Sequence, residues 1–487
     1  MNFSLISLEV CVMVLGLVLL LADLWTPADR KKLLGYAAAA GLGLLLVVNL
    51  GGLGHCTTPG QAFDGMFVQD ALSIFFKRFF LLAAIIVLLM IAEFSDQVAA
   101  GISEYYSLVL FALVGMLFAA SANNFALLFV SLELITVSFY VLTSFQRGRV
   151  VSLEAGVKYL IIGALSTSFT IFGIALVWGT SGKFSFSELA TVAGQMAGNR
   201  LFVFGLLFVM VGLGFKIAAF PFQIWAPDVY QGAPTPTTAF LAVGSKAAGF
   251  VLLLRVLFVA VPAITSQQVD VLIVISGITI LYGNLCAIPQ RNVKRLLGYS
   301  SISHAGYLLL GVAAMAGAKS TDGATAMLYY LLGYLFTVLA AFMVITIVMR
   351  KLETEDVSGL AGLGQRSPLL GATMTLSMVS LAGLPPLAGF FGKFLLLKSV
   401  IDLGPMNHGY YCLAFTALVG VVISIYYYFG VVRAIYWSRS NDTLPIQISG
   451  PLRGAIFVCI AGMFWLGLFP SCALHLARNG AAILGLQ

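Results

Sequence analysis

The sequence predicts an all-α polytopic membrane protein, and three observations carry that prediction. Of 487 residues, 60% are apolar and 9% charged, against about 25% charged in an ordinary soluble domain. The apolar residues fall into runs of the roughly 20 needed to cross a hydrocarbon core about 30 Å thick. Lysines and arginines gather in alternate loops between those runs, the asymmetry that orients membrane proteins.

Fourteen runs qualify, at 5–23, 33–50, 74–93, 105–122, 124–145, 157–179, 201–220, 235–261, 270–288, 297–315, 324–348, 369–397, 410–432 and 454–475. The first two are separated by Pro27 and the basic cluster Arg30, Lys31 and Lys32. The third opens behind Asp70 with Lys77 and Arg78, and the fourth and fifth part at SANN, Ser121 to Asn124, which leaves room for a tight turn only. The fifth carries Glu133 far from either end, the sixth begins around Lys158, and the seventh combines Lys216 with Pro221. Lys246 lies within the eighth, His304 within the tenth, and Pro385, Pro386 and Lys393 within the twelfth. Loops are too short for an extramembrane domain, so residues 1–487 are expected to form one membrane domain.

Odd-numbered loops hold 14 basic residues: Arg30, Lys31, Lys32, Arg147, Arg149, Arg291, Lys294, Arg295, Arg350, Lys351, Arg366, Arg433, Arg439 and Arg453. Even-numbered loops hold Lys183, Arg200, Arg255, Lys319 and Lys398. The positive-inside rule then places odd loops in the cytoplasm and both termini on the periplasmic side. Lys77 and Arg78 fall on the wrong side, which pairing with Asp70 or snorkelling would accommodate. Glu9 and the lack of a basic flank argue against a cleaved signal peptide.

The net charge of +7 is spread as loop asymmetry, with no basic run of the kind that binds nucleic acid. Cys11, Cys56, Cys286, Cys412, Cys459 and Cys472 show no CxxC pair, and suit neither an iron–sulfur cluster nor a disulfide framework. His55, His304, His408 and His475 lack haem or zinc spacing. The chain is expected to work without a bound cofactor or metal.

Spans four to eight and nine to thirteen look alike in plan. In each block the second span carries a titratable residue (Glu133, His304), and the fourth a lysine near proline (Lys216 by Pro221, Lys393 by Pro385–Pro386). An odd number of spans per block requires the second to be inverted, as in many transporters. The division is 1–104 for three N-terminal helices, 105–261 and 270–433 for two inverted five-helix repeats, and 454–487 for a C-terminal helix. Proline removes a backbone donor and clashes one turn back, so spans seven and twelve are expected to be broken. Freed carbonyls must face protein or water, which implies a hydrated interior.

Charges mid-span cost at least ~2.5–3.5 kcal/mol each and mark function. A lysine in a low-dielectric site holds its proton less firmly, and a nearby carboxylate restores the hold. Glu133, Lys216, Lys246, His304 and Lys393, joined by water and hydroxyls such as Ser245, Tyr299, Ser300 and Ser303, would therefore pass protons laterally, with Lys158 nearer the cytoplasmic edge. Each has a plainer reading: Glu133 as a static ion-pair partner, His304 as a packing histidine, Lys393 reaching an interface, Lys158 snorkelling, the prolines as kinks. Asp64, Asp70, Asp228 and Glu154, at span edges, are expected to be solvated, leaving Glu133 the only mid-span acid.

At these residues the chain resembles a family. GLGFKIAAFPFQIWAPDVYQGAPTPTTAFLAVGSKAAGF, RNVKRLLGYSSISHAGYLLLG, LAGLPPLAGFFGKF and EAGVKYLIIGALSTSFTIFGIALVWGTSG are similar to stretches of the antiporter-like membrane subunits of respiratory complex I. The resemblance covers nearly the whole chain. It implies a fourteen-helix proton-pumping subunit of the bacterial inner membrane, with Glu133 paired to Lys216. Lys246 would be the connecting lysine and Lys393 the terminal one, exchanging protons with the periplasm. It also implies that FMN, iron–sulfur clusters and quinone belong to partner subunits, with neighbouring antiporter-like subunits and lipid around this chain. One departure stands out: many relatives carry histidine where this chain has Gln223, which titrates nothing. A cation/proton antiporter subunit and a membrane-bound hydrogenase subunit would use the same parts. Glu133 as sole mid-span acid argues against sodium, which prefers clustered oxygen ligands, and a mere scaffold would not explain four buried lysines.

Overall fold

The computed structural model describes residues 3–52, 57–98, 101–318, 320–350, 355–438 and 445–485. His55, Cys56, Lys319, Lys351 and Arg439, named above, lie outside the described residues. Helices α1 (Ser7–Asp23) and α2 (Lys32–Leu50) lead to an antiparallel hairpin of β1 (Gly60–Ala62) and β2 (Phe67–Gln69), with Gln61 opposite Val68. Asp70 caps α3 (Ala71–Phe94) through reciprocal hydrogen bonds with Ser73, satisfying amides that a helix start leaves open. The SANN turn separates α4 (Ile102–Ser121) from α5 (Phe125–Thr143), and Asn124 caps the latter by accepting from the Leu127 amide at 2.7 Å. Then come α6 (Val150–Ser181), the connecting α7 (Phe186–Met196), α8 (Arg200–Ile217) and the short α9 (Trp225–Gly232).

The eighth predicted span is one continuous element of mixed geometry. It comprises α10 (Thr235–Phe240), a π-helical turn at Leu241–Ser245, α11 (Lys246–Leu254) and a second π segment at Arg255–Ala260. After α12 (Pro262–Thr265) follow α13 (Val269–Ala287), α14 (Val293–Gly317), α15 (Asp322–Met349), the single turn α16 (Leu363–Arg366), α17 (Pro368–Ala382), α18 (Ala388–Ile401), α19 (Gly409–Trp437), α20 (Gly450–Leu468) and α21 (Pro470–Ala481).

Among the described residues, 13 helices are long and apolar enough to cross a membrane. The sequence predicts 14 because the run 369–397 is continuous in hydropathy but divided in backbone. Gly383 adopts φ +84° at the end of α17, and Pro385–Pro386, joined by a cis bond, can supply no helical amides, so two helices of 15 and 14 residues flank the gap. The seventh run behaves similarly. Its helix stops at Ile217, before Pro221, where Ala218 turns to φ +58°. The loosened backbone is accounted for locally: the Ala219 amide returns to the Gly214 carbonyl at 2.9 Å, Trp225 Nε1 donates to the Phe215 carbonyl at 3.0 Å, and the Phe220 amide reaches Thr279 Oγ1 on α13 at 3.1 Å.

Burial separates centre from rim. In the element Thr235–Ala260, in α14 and in α15, 94% of the apolar stretch is buried, against 33% in α6 and α13. The outward side chains of α6, including Ile161, Leu165 and Phe172, are apolar and exposed, as a lipid-facing surface requires. Since lipid is as apolar as leucine, association of the helices rests on close backbone approach and hydrogen bonds between them. Gly283 of α13 lies so near α14 that a Cβ there would sit 2.4 Å from the Ser303 amide nitrogen, and Ser276 donates to the Gly306 carbonyl at 2.8 Å.

Several charges sit where the sequence does not suggest. Arg255, counted above among loop cations, is 1% exposed inside its π segment and grips both oxygens of Asp70, at 2.9 and 3.1 Å, while bonding the Ala120 carbonyl. Asp70 is therefore buried rather than solvated. Lys77 pairs with Glu9 at 2.7 Å, not with Asp70, and both are fully buried, so Glu133 is not the only acid within a span. Arg78 bonds Asn49. The physical reason is common to the Arg255–Asp70 and Lys77–Glu9 pairs: two buried opposite charges can satisfy each other where either alone could not.

Candidate functional site

Glu133 projects from α5 and Lys216 from the last turn of α8. The two are not in direct contact. Lys216, 4% exposed, donates to Thr136 Oγ1 at 2.9 Å, and Glu133 accepts from Thr167 Oγ1 at 2.7 Å. Thr136 lies one turn along α5 from Glu133, which places carboxylate and hydroxyl on one face. Both charged groups line a single cavity of ≈ 20 Å³, closed by Ser166, Thr170 and Gly212, a volume that suits one water molecule. A carboxylate and an amine thus face each other across the space of one water and two threonine hydroxyls.

Lys246 follows immediately on the first π turn, the kind of local insertion that re-aims a side chain. It is 2% exposed and donates to both the carbonyl and the hydroxyl of Ser301 on α14. Ser301 Oγ also accepts from Tyr334 at 3.0 Å and shares a hydrogen bond with Tyr230 at 3.1 Å. The Tyr334 ring centroid lies 5.7 Å from the Lys246 amine, within cation–π range. Lys216 is the neighbour on the other side: a Cβ on Gly249, one turn after Lys246, would stand 3.3 Å from the Lys216 Cβ.

His304 sits one turn beyond Ser301 and is held at both ring nitrogens, Nδ1 by Tyr330 and Nε2 by Tyr428 at 3.0 Å. Tyr428 shares a further bond with Ser300 Oγ at 2.5 Å. Lys393, on α18, is 3% exposed and reaches no interface. Its amine reaches back across the gap to the carbonyls of Leu381 (2.7 Å) and Ala382 (3.3 Å) and lies 4.8 Å from the Tyr307 ring centroid. A cation at the end of α17 completes acceptors that the helix leaves open and favours the negative end of its dipole.

The matrix of partners differs from the expected one. Ser300 takes part, but Ser303 donates to the Ser300 carbonyl and lies beside Tyr427, and the Tyr299 ring centroid is 5.8 Å from the Arg295 guanidinium. The groups the sequence leaves unmarked are Thr136, Thr167, Tyr230, Ser301, Tyr330, Tyr334 and Tyr428. One signal was available: YYLLGY at Tyr329–Tyr334 and YYY at Tyr426–Tyr428 put phenols inside apolar spans, where each hydroxyl needs a partner.

Residues 122–424 match the family described as NADH:quinone oxidoreductase/Mrp antiporter, TM. NADH-quinone oxidoreductase subunit N of Desulforamulus reducens is 37% identical over 480 residues, covering 99% of this chain and 98% of that one. The chain belongs to the subunit N family. Among solved structures, a chain of respiratory complex I from Thermus thermophilus with bound aureothin is 33% identical, with TM-score 0.79 and coverage of 96% of this chain and 98% of that one. The Mrp complex from Dietzia sp. DQ12-45-1b contains a chain of the same fold, at TM-score 0.84 and 21% identity, covering 99% and 98%. This subunit N chain is a multi-pass membrane subunit of the bacterial inner membrane.

One expected member of the subunit N site stands apart from the rest. The Lys158 side chain is 42% exposed and pairs with Glu154 and Asp228, each at 2.7 Å, away from the Glu133–Lys216 cavity. Buried lysines of the expected set are therefore three, Lys216, Lys246 and Lys393, while Lys77 and Lys294 are buried in addition. Asp228, expected to be solvated, also meets Arg295 at 2.5 Å. Burial works against its charge, but bonds from Lys158 and Arg295 outweigh it and hold the carboxyl below the usual aspartate range. Beside this lies a second acid node, Glu355, bonded to Arg149 at 2.9 Å and Lys294 at 3.0 Å. Gln223 is 2% exposed and its Oε1 has no hydrogen-bond partner; an amide there orients but does not titrate.

Proposed function

We propose that this chain translocates protons across the bacterial inner membrane within NADH-quinone oxidoreductase, coupled to electron transfer from NADH to quinone in partner subunits. FMN, iron–sulfur clusters and quinone belong, on this reading, to those partners, and the nearest are other antiporter-like membrane subunits. The observation that carries the proposal is the row of titratable groups inside the spans: half-buried Glu133 and buried Lys216 across a one-water cavity, then buried Lys246 on Ser301, His304 one turn on, and Lys393 closing the end of α17. Protons move along the row through threonine, serine and tyrosine hydroxyls, each both donor and acceptor. Lys158 serves near the cytoplasmic mouth and Lys393 exchanges with the periplasmic side. A cation/proton antiporter and a membrane-bound hydrogenase subunit are not favoured, because the full-length relatives are named as subunit N.

The same reading divides 1–487, one membrane domain, into N-terminal helices (1–104), inverted repeats (105–261 and 270–433) with spans seven and twelve broken, and a C-terminal helix (454–487), both termini being periplasmic. Two convergences support it. Asp228, Arg149, Lys294, Arg295 and Glu355, all from odd-numbered loops, meet in the clustered acid nodes. Asp70, from the second connection, meets Arg255 and Ala120, near the ends of the eighth and fourth spans, elsewhere.

Lys216→Ala and Glu133→Ala are expected to leave the complex assembled while NADH-driven proton uptake in proteoliposomes falls by about tenfold or more, a conservative figure against the roughly 10²–10⁴-fold that a positioned acid or base supplies. Normal pumping and turnover in both variants, with normal assembly, would remove the basis for the assignment.

A further inference from the structure

The ends of α13, α14 and α19 enclose a cavity of ≈ 770 Å³ that the proton row does not use. Its lining is graded along the helices. Arg433 lies eight residues nearer the end of α19 than Ile425, a rise of about 12 Å, and Arg291 lies beyond the end of α13, past Ile288. Cations therefore mark one end of the cavity and apolar side chains the other. Below them, Val422, Tyr426 and Phe429 share one face of α19 and are 69%, 71% and 44% exposed, and Leu285 of α13 and Ile288, just past its end, are exposed too. In a membrane subunit such a strip lies against hydrocarbon.

Most cations nearby are neutralised, although Arg147 and Arg453 share with these two arginines the lack of an acid partner among the described residues. On this side of the molecule Arg149, Lys158, Lys294, Arg295 and Arg350 all have acid partners. Arg291 and Arg433 have none among the described residues. The one acid of the lining, Asp356, already has a contact of its own, so the cavity keeps an excess of positive charge.

We propose that this cavity is a binding site for an anionic phospholipid, with the phosphate between Arg291 and Arg433 and an acyl chain along Val422, Tyr426 and Phe429. Guanidinium groups match phosphate oxygens in geometry as well as charge, and basic pockets between membrane helices on the cytoplasmic side are suited to lipid head groups. An acidic protein segment would satisfy the arginines but would leave the strip beneath them without a role. The lipid accounts for both. On its inner face the same helix presents Tyr428 to His304, so the bound lipid would seat the element that holds the histidine.

The site rests on the orientation given under Proposed function only for which leaflet supplies the lipid. The test is blind to leaflet, so failure of that orientation and failure of the site are distinguishable. The assembled complex is reconstituted in vesicles carrying, on both faces, phosphatidylglycerol or phosphatidylcholine with the same diazirine-bearing acyl chain, and labelled peptides are quantified after illumination. Labelling between residues 421 and 433 is expected to be several-fold greater with phosphatidylglycerol, while the α6 face around Leu165 and Phe172 labels equally with both. Arg291→Gln combined with Arg433→Gln should abolish the excess. Equal labelling by both lipids in the unaltered complex, or none because a neighbouring subunit covers the cavity, would overturn the proposal, and neither result depends on the variants assembling.

Discussion

Lys216 and Lys246 are both buried amines, yet they satisfy themselves differently, and the difference predicts unequal sensitivity to their partners. Lys216 has one side-chain acceptor, Thr136, whereas Lys246 has both a carbonyl and a hydroxyl from Ser301. A carbonyl holds the amine but passes no proton; the hydroxyl is what links Lys246 to Tyr334 and Tyr230. Ser301→Ala is therefore expected to leave Lys246 seated and reduce NADH-driven pumping several-fold, with Lys246→Ala reducing it by about tenfold or more. Proton uptake in proteoliposomes separates them, and full pumping in Ser301→Ala would show that the hydroxyl carries nothing. The lysines themselves were legible because a charge inside an apolar run is conspicuous. Their partners were not, since serine, threonine and tyrosine are tolerated throughout membrane helices and only packing decides which of them meets an amine. Glu9 shows the same limit: nothing local marks it as the partner of Lys77, 68 positions away.

Where helices stop, prolines gave the approximate place but not the stopping residue. Helix α8 ends at Ile217 because Ala218 turns left-handed, which alanine does not announce. Helix α17 ends at Gly383, whose φ of +84° is a conformation glycine enters freely and other residues enter at about 1–2 kcal/mol. The same glycine makes room for function, since a Cβ there would lie 2.9 Å from Lys393 Cδ. Gly383→Ala should thus combine backbone strain with displacement of the Lys393 amine from the Leu381 and Ala382 carbonyls. Gly182→Ala is the control: its φ is +67° and nothing lies within 4 Å of the added Cβ. Both substitutions should lower thermal stability by similar amounts, but only Gly383→Ala should depress pumping. Equal pumping in the two would mean that the Lys393 position is immaterial. The gap between α17 and α18 also explains why hydropathy counted one span where the backbone forms two helices.

The recurring plan read as two five-helix blocks is visible in sequence, but what ties its two stretches together is not, because the ties join residues far apart in the chain. Arg149 and Glu355 are 206 positions apart, and Asp228 and Arg295 are 67. Loop charges that were legible only as an orientation signal are therefore also structural. Glu355 is the clearest case. Burial opposes its charge, but Lys294 and Arg149 more than compensate, holding its carboxyl below the usual glutamate range. A carboxylate whose affinity for protons falls on folding stabilises the fold fully above its unfolded value of about 4.3 and loses that contribution as pH drops through the lower folded value. Glu355→Gln removes the group and leaves Lys294, 1% exposed, without its acid, at a cost of about 3 kcal/mol. Thermal unfolding of the purified complex, read at this subunit, should place the variant below the unaltered protein by a constant margin from pH 8 to pH 5. The margin should narrow only below about pH 4, as the native glutamate takes up its proton. A margin that instead closes with rising pH would mean that Glu355 is not held as an anion between Lys294 and Arg149.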